Sequence, residues 1–194
     1  MRKILIGAWV FCCAAALFPY TIEVFGALPV VISDVSDVSF TYLSGGVGAG
    51  FTTLDGERTF GVTVTAIAYM PFSAEFTAKD GELPRSALAA APVGMHLSLG
   101  CSVLPVDAIT GAVSFPVTVS LHGKADFLQG EAHVDTGVAA AGGIKITGGR
   151  FSGFARMEIF FDIYRLVFPQ GGGFSTAGPN VFGLTPHIGA GFTL

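Results

Sequence analysis

The residues of this chain able to do chemistry fall on one side of an alternating pattern. Arg156, Glu158 and Asp162 are separated by even numbers of residues, so an extended backbone puts them on one face, with same-face neighbours about 6.6–7 Å apart. Lys124, Glu131 and Asp135 have the same phase in neighbouring segments and could neutralise them across a narrow interior, or help line and gate a path through it. Glu75, His96, His122, His133 and His187 complete the set. Zinc needs at least three ligands converging at one height, and none of the four histidines forms an H-x-x-x-H or H-E-x-x-H pair, so no metal ligand is assigned. His133 with Asp135, and Ser120 with His122, are i, i+2 pairs from which a lipid-acting enzyme could be assembled. No nucleophile stands in a distinctive context, so the chain reads as a non-enzyme without a cofactor.

These residues are positioned by strands with two unlike faces. From 59 to 78 the even positions include Phe60, Val62, Val64, Ala66, Ala68, Met70, Phe72 and Phe76, while the odd ones include Thr63, Thr65, Tyr69, Ser73 and Glu75. Strict period-two alternation is the mark of a strand whose faces meet different surroundings. The same alternation recurs with Met95, Leu97, Leu99 and Cys101, with Val113 to Leu121, with Ala132, Val134 and Val138, with Phe151 to Ile163, and with Phe182 to Leu194. An arginine or lysine facing lipid at mid-membrane costs about 2–4 kcal/mol, so a membrane barrel turns its charges into the lumen. The polar face here is rich in Gly, Ser and Thr, as in a narrow interior filled by side chains.

Composition agrees. Of 194 residues, 51% are hydrophobic and only 12% charged, about half the usual share for a soluble domain. The apolar residues are dispersed, and past residue 33 nothing approaches the roughly 20 consecutive apolar residues of a membrane helix. Met1-Arg2-Lys3, the apolar stretch Ile4 to Ala16 and Ala14-Ala15-Ala16 read as a secretory signal peptide over 1–16, with an alternative cut as late as 26 and the barrel domain over 17–194. Cleavage at Ala16 would leave Cys101 alone, without an intramolecular disulfide, and make the net charge of −4 two units more negative. That balance excludes a generally basic nucleic-acid binder.

The expected architecture is all-β: an antiparallel up-and-down transmembrane β-barrel of about eight strands, following the signal peptide. The strands are expected at 20–32, 38–52, 58–78, 93–104, 112–125, 131–140, 150–166 and 181–194. Phe40 and Tyr42 fall out of phase with Val47, Ala49 and Phe51, which a bulge near Gly45-Gly46 would reconcile. The segment 141–149 could form a short extra strand. Asp55-Gly56-Glu57 and Pro105 to Gly111 read as turns on the side of the termini, and 79–92 and 167–180 as long loops on the other.

The last nine residues, Pro186-His187-Ile188-Gly189-Ala190-Gly191-Phe192-Thr193-Leu194, resemble the closing strand of small outer-membrane barrels of the OmpA, OmpX and OmpW type. This sequence ends in Leu194, where a terminal phenylalanine is commoner. The resemblance implies a bacterial outer-membrane location, contact with outer-membrane lipid, and recognition of the C-terminal strand by the barrel-assembly machinery. The function expected is a structural or adhesive role, with a host surface ligand, or passage of small apolar solutes. A soluble exported β-sandwich or lipocalin-like binding module is the alternative class, and a barrel enzyme modifying outer-membrane lipid a lesser one.

Overall fold

In the computed structural model, the described residues are 20–35, 38–53, 60–78, 93–103, 112–128, 131–168, 172–173, 175–177 and 180–194. The expected signal peptide, the turns at 55–57 and 105–111, and the loop at 79–92 lie outside them. All regular structure among the described residues is strand: β1 (Thr21–Ala27), β2 (Val30–Val35), β3 (Val38–Thr52), β4 (Phe60–Ala78), β5 (Val93–Val103), β6 (Val113–Ser114), β7 (Val117–Leu128), β8 (Glu131–Gly148), β9 (Phe151–Phe168), β10 (Ser175–Ala177) and β11 (Asn180–Thr193).

Pairing is antiparallel between neighbours throughout, and β11 returns to pair with β1 and β2, closing a ring of eight strands. Two of the eight are interrupted by proline. β1 and β2 keep one register against both β3 and β11 across Leu28-Pro29, with Leu28 N–H donating to the Pro186 carbonyl at 3.1 Å. β6 and β7 likewise keep one register against β8 across Phe115-Pro116. Closure removes free sheet edges, the only way a sheet can satisfy its backbone in lipid. The shortest full strand, β5, has 11 residues, enough for the 9–11 that a tilted membrane strand needs.

The barrel is the reverse of a soluble protein. Val24, Val47, Leu99, Val119, Leu121, Ile146 and Ile188 are all more than half exposed on the outer wall. Glu23, His96, Lys124, Asp135, Glu158, Asp162 and His187 are buried inside. Monomeric soluble proteins rarely expose contiguous apolar patches beyond a few hundred Å².

Two β-bulges correct the sequence reading. β3 keeps a single phase, with Tyr42 and Ser44 buried and Val47 outward, so no bulge lies at Gly45-Gly46. The extra residue is Phe72 of β4, skipped as the register passes from Leu43 opposite Ser73 to Ser44 opposite Pro71. Alternation in β4 therefore shifts at Phe72 instead of running through to 78, and the Glu75 backbone pairs with Thr41. In β9 the skipped residue is Ile163, between Asp162 and Tyr164. A bulge adds one residue to one strand and reverses the facing of everything beyond it.

Three further differences concern extent. Residues 141–148 continue β8 instead of forming a separate strand, and Gly149, at φ 62°, turns the chain into β9. The first strand runs on to Val35. The loop expected at 167–180 is partly strand, since β9 reaches Phe168 and β10 folds back onto Arg165 to Val167.

Inside, aromatic rings lie over glycines. A Cβ on Gly183 would overlap the Phe160 ring, which is itself wedged between the rings of His96 and His122 at 5.2 and 5.1 Å. Gly183→Ala is expected to lower stability by about 1–3 kcal/mol through overpacking. The check is the urea midpoint of the folded barrel. An unchanged midpoint would mean that Phe160 has room to move.

Candidate functional site

The candidate site is the barrel interior. Its end near the chain termini carries hydroxyls in place of charges. Thr52 bonds to Thr63 (3.0 Å), Thr63 to Ser102, and Ser102 to Thr118 (2.7 Å), a chain across β3, β4, β5 and β7. Thr21 and Thr193 bond across the closing seam at 2.9 Å. These short side chains leave a small cleft of about 30 Å³, lined by Thr63, Ser102, Thr118, Lys145, Glu23 and Arg156.

Arg156 forms the cleft's inner limit. Its Nη1 donates to Glu23 Oε2 and its Nε to His187 Nδ1, both at 2.9 Å. Its guanidinium lies 4.8 Å from the centroids of both Phe25 and Phe154. Cation–π contacts of this kind gain strength when desolvated. Further in, His96 Nδ1 sits 3.6 Å from Glu158 Oε1, and the His96 and His122 rings are 4.9 Å apart.

Toward the loop end a second charge cluster crosses three strands. Lys124 of β7 contacts Asp135 of β8 and Asp162 of β9, each at 3.1 Å. Arg165 grips Asp135 through two hydrogen bonds, Nε to Oδ1 at 2.6 Å and Nη2 to Oδ2 at 2.9 Å. His122 Nε2 lies 3.0 Å from Asp162 Oδ1. Val31, Tyr42, Tyr69, Ala139, Phe160 and Val181 pack together as an apolar group in the same interior.

The interior therefore brings together His96, His122, Lys124, Asp135, Arg156, Glu158, Asp162 and His187. His133 is half-buried, placed opposite Asp126 and Val167 and away from these pairs. Glu75 and Glu131 have backbone positions in β4 and β8, and their side chains lie outside the described residues. Of the pairings expected by spacing, Asp162 with Lys124 is present, whereas Arg156 goes to Glu23 and His187. Asp135 is shared by Arg165 and Lys124, and His122 faces Asp162. No group of three or more potential metal ligands occurs among the described residues.

Two buried interior residues are not among those singled out from the sequence. Glu23 of β1 is one, paired with Arg156. Arg165 fell in the apolar phase of β9, and the Ile163 bulge turns it inward, where it is buried. The signal was there: an arginine on the lipid face would be costly, so a phase shift had to come before it.

No family model and no curated protein matches this sequence. Solved structures do. The outer-membrane protein AlkL aligns with a TM-score of 0.58 at 11% identity, covering 91% of this chain and 90% of that one. OprG from Pseudomonas aeruginosa gives 0.57 at 13%, covering 91% and 96%. The chain has the fold of a small eight-stranded outer-membrane β-barrel. Ail of Yersinia pestis, solved with the heparin analogue sucrose octasulfate, gives 0.50 at 15%, covering 91% and 98%. The apolar wall of this outer-membrane barrel is the surface such folds turn to lipid, and its buried charges are where the cost of lipid exposure drives them.

Proposed function

We propose that the chain resides in the bacterial outer membrane as a closed barrel, a lipid-spanning scaffold that presents its loop end in a structural or adhesive role. The filled lumen carries this reading. Between the terminal cleft and the loop end, the cross-section is occupied by Phe25, Phe154, Phe160, Ile67 and Tyr69 together with the buried ion pairs. Eight strands enclose an interior just wide enough for side chains to fill, and the Arg156–Glu23, Lys124–Asp162 and Arg165–Asp135 pairs take up part of that width. The outer-membrane partners are lipid along the wall and, through the closing strand Pro186 to Leu194, the barrel-assembly machinery. An adhesive role has a precedent of kind in Ail, whose solved complex holds a heparin analogue.

The test is conductance of the folded protein in planar bilayers. The closed barrel is expected to give no stable open steps, and a steady ohmic conductance would overturn the reading. A second reading, passage of small apolar solutes, is favoured by the apolar group of Val31, Tyr42, Tyr69 and Val181 in the interior. It predicts that vesicles carrying the barrel take up a fluorescent alkyl probe faster than empty ones, and that Val181→Asp removes the difference.

A further inference from the structure

Lys124 is held in a setting that does more than pair charges. Its ammonium is buried between two carboxylates that are themselves wholly buried, 3.1 Å from an oxygen of each, with the Phe160 ring centroid 5.7 Å away. The two carboxylates have different surroundings. Asp135 is fixed as a carboxylate by the paired Arg165 bonds, at 2.6 and 2.9 Å. Asp162 is set differently: its Oδ2 faces Lys124, and its Oδ1 faces His122 Nε2 at 3.0 Å. A nucleophile within reach of a base, the base oriented by a third group, is the arrangement that activates a side chain for covalent chemistry. Groups of one type held in unlike environments take unlike roles.

We propose that Lys124 and Asp162 condense to an intramolecular isopeptide bond, with Asp135 as the base. The Lys124 ammonium passes one proton to Asp162 Oδ2, 3.1 Å away, giving a free amine and a neutral carboxylic acid, and the Nζ lone pair attacks Cγ of that acid. Asp135 then takes a second Nζ proton from the tetrahedral intermediate and returns it to the departing oxygen as the Cγ–Oδ2 bond breaks. Both protons leave with that oxygen as water, while His122 Nε2 faces Oδ1, the oxygen that stays. The ammonium and carboxylate become an amide and one water, and no oxidant, reductant or cofactor is consumed. The product replaces a desolvated ion pair with a neutral group, relieving the penalty that burial imposes on two charges. It leaves Asp135 matched by Arg165. The bond joins β7 to β9 across β8, two strands that do not hydrogen-bond to each other.

The experiment takes the full protein folded in detergent and isolates the heat-modifiable band, so only molecules with the barrel formed are read. Trypsin cuts after lysine, and acylation of Lys124 blocks it. Expected is a peptide spanning 86–145 joined to 157–165, lighter than the two together by one water. The joined peptide is expected to be absent in Lys124→Met. It is also expected to be absent in Asp135→Asn, which keeps both reacting groups and removes the base. Cleavage after Lys124 with 157–165 free, in folded wild-type protein, overturns the bond. A joined peptide persisting in Asp135→Asn overturns the role given to Asp135.

Discussion

Arg156→Leu is expected to lower the stability of the barrel by about 3–5 kcal/mol, the range for removing one partner of a buried ion pair. Two other groups depend on this guanidinium. Glu23 is buried and takes a hydrogen bond from Arg156 at 2.9 Å, and His187 takes another. Without the arginine, the Glu23 carboxylate has to stay charged in a dry interior, take up a proton, or draw water past Phe25 and Phe154. The double variant Arg156→Leu, Glu23→Leu removes both charges, and most of the loss is expected to return. The measurement is the urea midpoint for wild type, both single variants and the double. Additive losses across the four proteins would mean that the two residues do not form a coupled pair.

Leu121→Arg is expected to cost about 2–4 kcal/mol, as charged substitutions at mid-membrane depth do. Leu121 lies mid-way along β7, 69% exposed, between outward Leu99 and Val138. On a soluble protein the same exposed position would change stability by less than about 0.5 kcal/mol. The variant therefore separates lipid from water at the outer wall. It is measured in lipid vesicles, with Leu121→Ala as a control for lost volume. If the arginine variant is as stable as the alanine one, the wall does not face lipid and the soluble exported module regains its place.

Much of the architecture was legible before any coordinates. Period-two alternation depends only on the backbone pleat, so it placed Leu97 and Leu99 outside and His96 and Ser98 inside. It did the same for Phe151 to Asp162, where the outer residues are apolar and Arg156, Glu158 and Asp162 turn in. The expected strands at 20–32 and 112–125 already run through Leu28-Pro29 and Phe115-Pro116, and neighbouring strands carry one register across both prolines.

Alternation along the chain sets an apolar and a polar face over about eight strands and, up to the first bulge in each, which charges belong to the polar one. Those properties follow from local geometry, where side-chain direction is set by position along a single strand. Which charges meet was decided only by the tertiary structure. Arg156 finds Glu23, 133 positions away, because closure of β11 onto β1 brings the first and last strands together. Arg165 faces inward because one residue of β9 has no counterpart on β8, a mismatch that exists only between two strands. Pairing in a closed barrel depends on register around the whole ring, and no single strand carries that information.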